Sequence, residues 1–427
     1  MTEDNDVHVD AVPPPEPEPT PLRCPTGGVP PISVTAKDIA RAAETLAAGS
    51  GAFAVDAERA SGFRYSNRAY LIQIRRQGAG TVLIDPVNHG GSPIDVLAPL
   101  AEVLGSDEWI LHAADQDLPC LAEVGLRPPA LYDTELAGRL AGFDRVNLAA
   151  MVQRLLGLGL AKGHGAADWS TRPLPSDWLN YAALDVEVLL ELREAVAEIL
   201  DQQNKSHWAA EEFEYLRRSD PTPTRRDRWR KTSGIHKVRT QQGLAAVREM
   251  WTVRDRIARG RDIAPGRILP DTAIIAAALS QPTTVEEITA LPVFGGSRQK
   301  RSATVWLDAL RDARSCTDLP DITEPLDGPP PPVRWARRNP EAAARLEAAR
   351  TALGGLSARV GVPAENLVSP DLVRRLCWDW QPASDVGAAV ADFLREGGAR
   401  NWQQELVGPV LAEALNRDQP GANQQPS

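Results

Sequence analysis

Short apolar runs in close succession open the folded part of the chain. Phe53-Ala54-Val55 predicts a buried strand whose end carries Asp56 and Glu58. Ala69 to Ile74 and Thr81 to Ile84 predict two more strands, the second closed by Asp85-Pro86. Trp109-Ile110-Leu111-His112 predicts a fourth that feeds a helix, and Ala130-Leu131-Tyr132 a fifth. From Thr134 to Leu200 the apolar spacing turns helical, broken by Gly157 to Gly165 and by Arg172-Pro173. Thr35 suits the N-cap of a helix that ends near Gly49 and Gly51. Three closely spaced strands followed by strand–helix alternation predict a mixed α/β sheet covered by helices.

Strand patterns stop after Leu216. Leu244, Val247, Trp251 and Ile257 mark a helical stripe, Asp271 can cap a second helix, and Thr283 with Glu286 has the spacing of a capping box for a third. A fourth helix runs to about Arg314. A second helical unit of similar size begins near Pro340, with Ser369-Pro370 as cap and first helical residue and Trp378, Trp380 and Trp402 as large core residues. The Pro- and acid-rich residues 1–28 predict a disordered tail, because they bury too little apolar surface to offset their ordering entropy. The expected organisation is then an α/β domain at 29–215, a basic linker at 216–239, a helical domain at 240–317, a Pro-rich linker at 318–333, a second helical domain at 334–416 and a polar tail at 417–427.

Composition narrows the function classes. No stretch approaches the ~20 apolar residues of a membrane span, and the acidic N-terminus (Glu3, Asp4, Asp6) is unlike a signal peptide. Cys24, Cys120, Cys316 and Cys377 form no C-x-x-C pair, which argues against a zinc site or a disulfide framework. A cytoplasmic location is expected, with no membrane and no obligate protein partner. The net charge of −10 hides an asymmetry: residues 217–261 hold fourteen Arg or Lys against four Asp or Glu. Within that region Arg225, Arg226, Arg228, Arg230 and Lys231 surround Trp229, a composition suited to phosphates and one stacked base.

Three acidic motifs carry the candidate chemistry. Asp56 and Glu58 stand two apart at a strand end, so their carboxylates share a face, an arrangement that a cation between them makes tolerable. Asp115 and Asp117 lie where a strand passes into a helix, the place at which open α/β sheets usually bind ligands. Tyr181 and Asp185 are four apart in a helical stretch and project from one side of it.

Taken together, D-x-E, H-A-x-x-x-D-L beginning at His112 and Y-x-x-x-D beginning at Tyr181 resemble the exonuclease domain of the ribonuclease D family. Asp168-Trp169-Ser170-Thr171-Arg172-Pro173-Leu174, Asp133-Thr134 and Leu71-Ile72-Gln73-Ile74 strengthen the likeness over roughly residues 30–215. The resemblance implies a ribonuclease H-like α/β fold and membership of the DEDD exonucleases with a tyrosine in the last motif. It assigns Asp56, Glu58, Asp117 and Asp185 to the metal site, Asp117 being five residues after the histidine, and makes Tyr181 the water-orienting hydroxyl. Residues 240–314 resemble an HRDC domain through Arg261-Asp262-Ile263-Ala264-Pro265-Gly266-Arg267-Ile268-Leu269 and Asp271, and 334–416 resemble a second, divergent copy.

The implied activity is 3′→5′ hydrolysis of RNA by a two-metal mechanism, releasing nucleoside 5′-monophosphates and maturing transfer-RNA or other small-RNA 3′ ends. Oxygen ligands without a His or Cys cluster suit Mg²⁺ or Mn²⁺. By the same resemblance Asp56 bridges both ions, Glu58 and Asp185 serve the ion on the nucleophile side, and Asp117 mainly serves the other. Two alternatives stay open: a 3′→5′ DNA exonuclease, since the same catalytic domain occurs in Werner-type helicases, and a non-catalytic nucleic-acid-binding protein.

Overall fold

The structure is a computed structural model and describes residues 18–87, 91–160, 163–219, 227–323 and 328–416. Its α/β domain is laid down as β1 (Thr20–Leu22), β2 (Ile32–Ser33), α1 (Ala36–Ala47), β3 (Ser50–Arg59), β4 (Ala69–Gln77), β5 (Gly80–Ile84), α2 (Pro93–Leu104) and β6 (Trp109–Leu111). Then come α3 (Leu118–Glu123), β7 (Leu131–Asp133), α4 (Thr134–Leu140), α5 (Leu148–Leu156), β8 (Leu158–Leu160), α6 (Ser176–Glu187), α7 (Leu189–Gln202) and α8 (Ser206–Arg218). The main sheet has the order β2-β5-β4-β3-β6-β7, antiparallel through β5-β4-β3 and parallel at both ends.

Alternation along β3 sorts its side chains. Phe53 and Val55 join Ile72, Ile74 and the apolar faces of α1 and α2 in one buried layer. Asp56 and Glu58 point to the opposite face, where α6 packs Ala182 and Ala183 against Leu71 and Leu83. Helix α1 begins with a capping box in which Thr35 and Asp38 exchange hydrogen bonds, so Thr35 is the N-cap that the sequence marks.

One expectation for the N-terminus is corrected. Residues 18–28 are not a structureless tail: Thr20–Leu22 pair in parallel with Leu158–Leu160, and the Arg23 carbonyl accepts from Asn180 Nδ2 at 2.8 Å. The rest of the expected tail lies outside the described residues. Proline content hides the strand because its partner is 138 positions away in sequence, beyond any local signal.

The first helical unit comprises α9 (Gln241–Arg261), α10 (Pro265–Ile268), α11 (Asp271–Ser280), α12 (Val285–Ala290), α13 (Ser297–Arg301) and α14 (Ala303–Ser315), around a core of its own. The second comprises α15 (Trp335–Arg338), α16 (Pro340–Val360), α17 (Ala364–Leu367), α18 (Pro370–Asp379), α19 (Val386–Glu396) and α20 (Asn401–Asn416). Helices α9, α10 and α11 have 21, 4 and 10 residues, and α16, α17 and α18 repeat those lengths in the same order. Two capping details differ from expectation. Thr284, not Thr283, caps α12, with Glu287 reaching back to the Thr283 N–H. Asp271 sits inside the first turn of α11, where it pairs with Arg254 at 2.6 Å instead of capping. Among the described residues no helix is long and apolar enough to cross a membrane.

Both helical units are fastened to the α/β domain. The first grips the loop after β3: Ala264 N donates to the Phe63 carbonyl at 3.0 Å, Arg267 Nε to that of Gly62 at 2.8 Å, and Tyr65 Oη to Asp255 at 3.0 Å. The second shares a continuous core with the sheet. Trp402 is buried, its ring stacks on Trp208 with centroids 4.9 Å apart, and its Nε1 donates to buried Glu212 at 2.9 Å. Trp402→Ala is expected to destabilise the protein by about 3–5 kcal/mol, the usual cost of emptying a large buried aromatic site. Urea unfolding checks this, and a loss under about 1 kcal/mol would show that the two parts are held together elsewhere.

Candidate active site

The site forms where three elements end together. β3 delivers Asp56 and Glu58 side by side. At Glu58 the ladder with β4 slips, from Glu58–Leu71 to Arg59–Ala69, skipping Tyr70. The extra residue stands on β4, and at the end of β3 Arg59 lies on the cleft side with its guanidinium 3.4 Å from Asp117.

β6 leads to Asp117 through a turn that needs Ala113 in the left-handed region, at φ 62°. Buried Asp133, at the end of the neighbouring β7, holds that turn. Its carboxylate accepts from the N–H groups of Ala113 and Ala114 at 3.2 and 2.8 Å and also caps α4 through Glu135 and Leu136. His112 Nδ1 pairs with Thr134 Oγ1 at 2.9 Å, and burial pushes the imidazole down to about 4, so it is neutral at neutral pH. Asp117 is therefore buried inside the site while Asp115, two residues earlier, is exposed outside it.

α6 supplies Tyr181 and Asp185 from consecutive turns, its Ala182, Ala183 and Val186 being buried. Tyr181 Oη donates to Asp185, and its ring rests against Gly163, where any Cβ would overlap it. Gly163→Ala should displace the ring and lower kcat on the order of 10²-fold, the effect of a small misplacement of a catalytic group. Steady-state kinetics beside a thermal melt check this; a normal kcat would mean that the Gly163 segment yields and the ring stays.

Carboxylate oxygens of Asp56, Glu58 and Asp185 lie within 4.8 Å of one another, and Asp117 shares a hydrogen bond with Asp56. Burial is the first cause that raises all four groups above the ordinary carboxylate range, and like charge adds to it at three of them. Glu58, facing Asp56, Asp185 and Asp117, is pushed up to about 10. Burial and neighbouring Asp185 and Glu58 likewise push the Tyr181 hydroxyl well above its ordinary value, so it donates its proton and does not act as a base. The cleft has a volume of about 430 Å³ and is lined also by Arg59, Gln116 and Asn147. A larger cavity of about 760 Å³, between α7 and α8, has no comparable convergence: Glu108 and Glu194 on its wall pair with Arg193.

The structure thus brings together Asp56, Glu58, Asp117, Tyr181 and Asp185. The basic cluster fares differently. Arg225 and Arg226 lie outside the described residues. Trp229 is buried in the core of the first helical unit, its Nε1 donating to Asp227 at 3.1 Å, so it offers no face to a base. Arg228 lies over the Trp251 ring at 5.7 Å, Arg230 over Trp229 at 4.5 Å, and Lys231 is exposed. Apolar burial claims the tryptophan that composition offered to a nucleotide.

Residues 31–201 match the family model of a 3′-5′ exonuclease, 243–310 that of an HRDC domain, and 328–415 that of a 3′ to 5′ exonuclease C-terminal domain. A ribonuclease D of Nitrobacter hamburgensis is 30% identical over 348 residues, covering 79% of this chain and 83% of that protein. The chain belongs to the ribonuclease D family. As a member of that family it is a metal-dependent 3′→5′ exoribonuclease that binds nucleic acid. Another ribonuclease D, from Gluconacetobacter diazotrophicus, is 32% identical over 271 residues, 61% of this chain and 67% of that one. Among solved structures, a protein from Bifidobacterium adolescentis superposes with a TM-score of 0.84 at 36% identity, covering 93% of this chain and all of that one. Escherichia coli RNase D has the same fold, with a TM-score of 0.67 at 24% identity over 91% of this chain and 98% of its own.

Proposed function

We propose that Asp56, Glu58, Asp117 and Asp185 hold two divalent ions, Mg²⁺ or Mn²⁺, and that the enzyme trims 3′ ends of transfer-RNA precursors or other small structured RNAs in the cytoplasm. The observation that carries the metal assignment is the convergence of three carboxylates within 4.8 Å, with a fourth, Asp117, lining the same cleft. The residues fit such ions: hard oxygen donors, buried or half-buried along one cleft, with protons that ion binding would displace. Bound divalent ions supply Lewis acidity, which makes a water nucleophilic and stabilises charge on the leaving oxygen. By the family resemblance Asp56 would be shared between the two ions, Glu58 and Asp185 would hold one of them, and Asp117 would mainly hold the other. Tyr181, released from Asp185, donates its hydroxyl hydrogen bond to orient the attacking water. The first helical unit grips the loop that follows Arg59, a placement that suits it to receive structured RNA near the scissile end.

Matched RNA and DNA oligonucleotides and a circular RNA test this reading in Mg²⁺. The expected result is a ladder shortened from the 3′ end, with 5′-monophosphates as product, RNA preferred to DNA, and the circle intact. Cutting of the circle at a rate comparable with linear RNA would make the enzyme an endonuclease. Equal rates on DNA would remove the RNA preference.

A further inference from the structure

We infer that Arg59 is a substrate-binding residue of this exonuclease, a guanidinium that contacts a backbone phosphate at the RNA 3′ end once Asp117 has turned to its ion. This rests on the assignment of Asp117 to the metal site. Three observations lead to it. Strict alternation would send Arg59 to the face opposite Glu58, yet at the strand's end its side chain lines the cleft beside the carboxylates. With His112 neutral, Arg59 is the one charged cation among the described residues that line the cleft. Its hold on Asp117 is loose: the pair stands at 3.4 Å, and no hydrogen bond of the Arg59 side chain is found among the described residues.

Each point matters when a polyanion enters. An RNA phosphate must approach four carboxylates, and every fixed positive charge at that mouth lowers the repulsion. When Asp117 engages an ion, Arg59, whose side chain is only 23% exposed, loses the one side chain it pairs with. A partly buried cation without a partner is costly. A phosphate oxygen restores the pairing, and the planar fork of guanidinium matches phosphate geometry in a way that an ammonium does not. Arg59 thus faces Asp117 in the empty enzyme and the substrate phosphate in the loaded one.

The experiment uses full-length Arg59→Gln and Arg59→Lys on a short single-stranded oligoribonucleotide, across series of Mg²⁺ and NaCl. Mg²⁺ binding is read separately, from the thermal midpoint of each protein without RNA. For Arg59→Gln the expected kcat/KM is on the order of 10–10²-fold lower, most of it in KM, with a log–log salt slope shallower by about 0.7. Its Mg²⁺ midpoint should stay within about threefold of wild type. Arg59→Lys should recover the slope but only part of the rate, and it keeps the test alive if the glutamine variant does not fold. Recovery of wild-type kcat/KM in Arg59→Gln at excess Mg²⁺, or an unchanged salt slope, would overturn the inference and leave Arg59 as a counter-ion of Asp117 alone. An inactive wild-type enzyme would instead overturn the functional reading itself.

Discussion

Asp185→Asn is expected to abolish turnover, by on the order of 10³-fold or more, while making the metal-free protein more stable at pH 8. The rate loss follows from removing a charged ligand where charge on the attacking and leaving oxygens must be stabilised. The stability gain follows from the site's electrostatics. Burial and the neighbouring Asp56 raise Asp185, and Glu58 is carried up to about 10. Groups whose folded values lie above their unfolded values contribute stability that is full below pH ~4 and is lost as pH rises through the folded values. For Glu58 that window runs from about 4 to about 10. The metal-free wild type should therefore lose thermal stability from pH 5 to pH 8, Asp185→Asn should lose less, and Mg²⁺ should raise the midpoint of the wild type more at pH 8 than at pH 5. Asp56→Asn should behave alike, and of Asp117→Asn and Asp115→Asn only the first should be inactive. Activity of Asp185→Asn within tenfold of wild type at saturating Mg²⁺ would remove Asp185 from the metal set.

What the sequence discloses of this site follows the reach of local rules. Asp56 and Glu58 are legible because a strand has period two, and Tyr181 and Asp185 because a helix brings positions four apart onto one side. Asp117 needed the family spacing from His112, since either Asp in that turn is otherwise unremarkable. Arg59 was hidden for a physical reason: alternation assigns it to the other face, and only the packed structure shows its long side chain lining the cleft beside Asp117. Gly163 reads as one more loop glycine, and only the ring of Tyr181 against its Cα gives it a role. The same limit governs the fold. The sheet and both helical units are written in periodicity, whereas β1, the burial of Trp229 and the Trp402–Glu212 contact depend on partners far away in sequence. The end of the α/β domain near residue 215 is likewise a boundary of pattern rather than of packing. A cut there would remove Arg400 and Trp402 from Glu212 and open the shared core.

Tyr181→Phe is expected to slow hydrolysis by about 10²–10⁴-fold, the range for a positioned acid–base group, with RNA and Mg²⁺ affinity almost unchanged. The ring is fixed on one side by Gly163 and belongs to a cluster that includes Trp178 and Leu179, so removing one oxygen leaves the packing intact. What is lost is the hydroxyl that donates to Asp185 in the metal-free site. That hydroxyl keeps its proton throughout the working pH range, because burial and the acidic neighbours raise it. Its contribution must then be orientation of the water, and the pH–rate profile of the variant should keep the shape of the wild type at a lower level. A lost or shifted limb in that profile would identify Tyr181 as a titrating base. A displaced Mg²⁺ midpoint with a normal maximal rate would show that the hydroxyl shapes the metal site through Asp185 and does not touch the water. Gly163→Ala provides the control: it moves the same hydroxyl without removing it, so it should reproduce the fall in kcat in milder form.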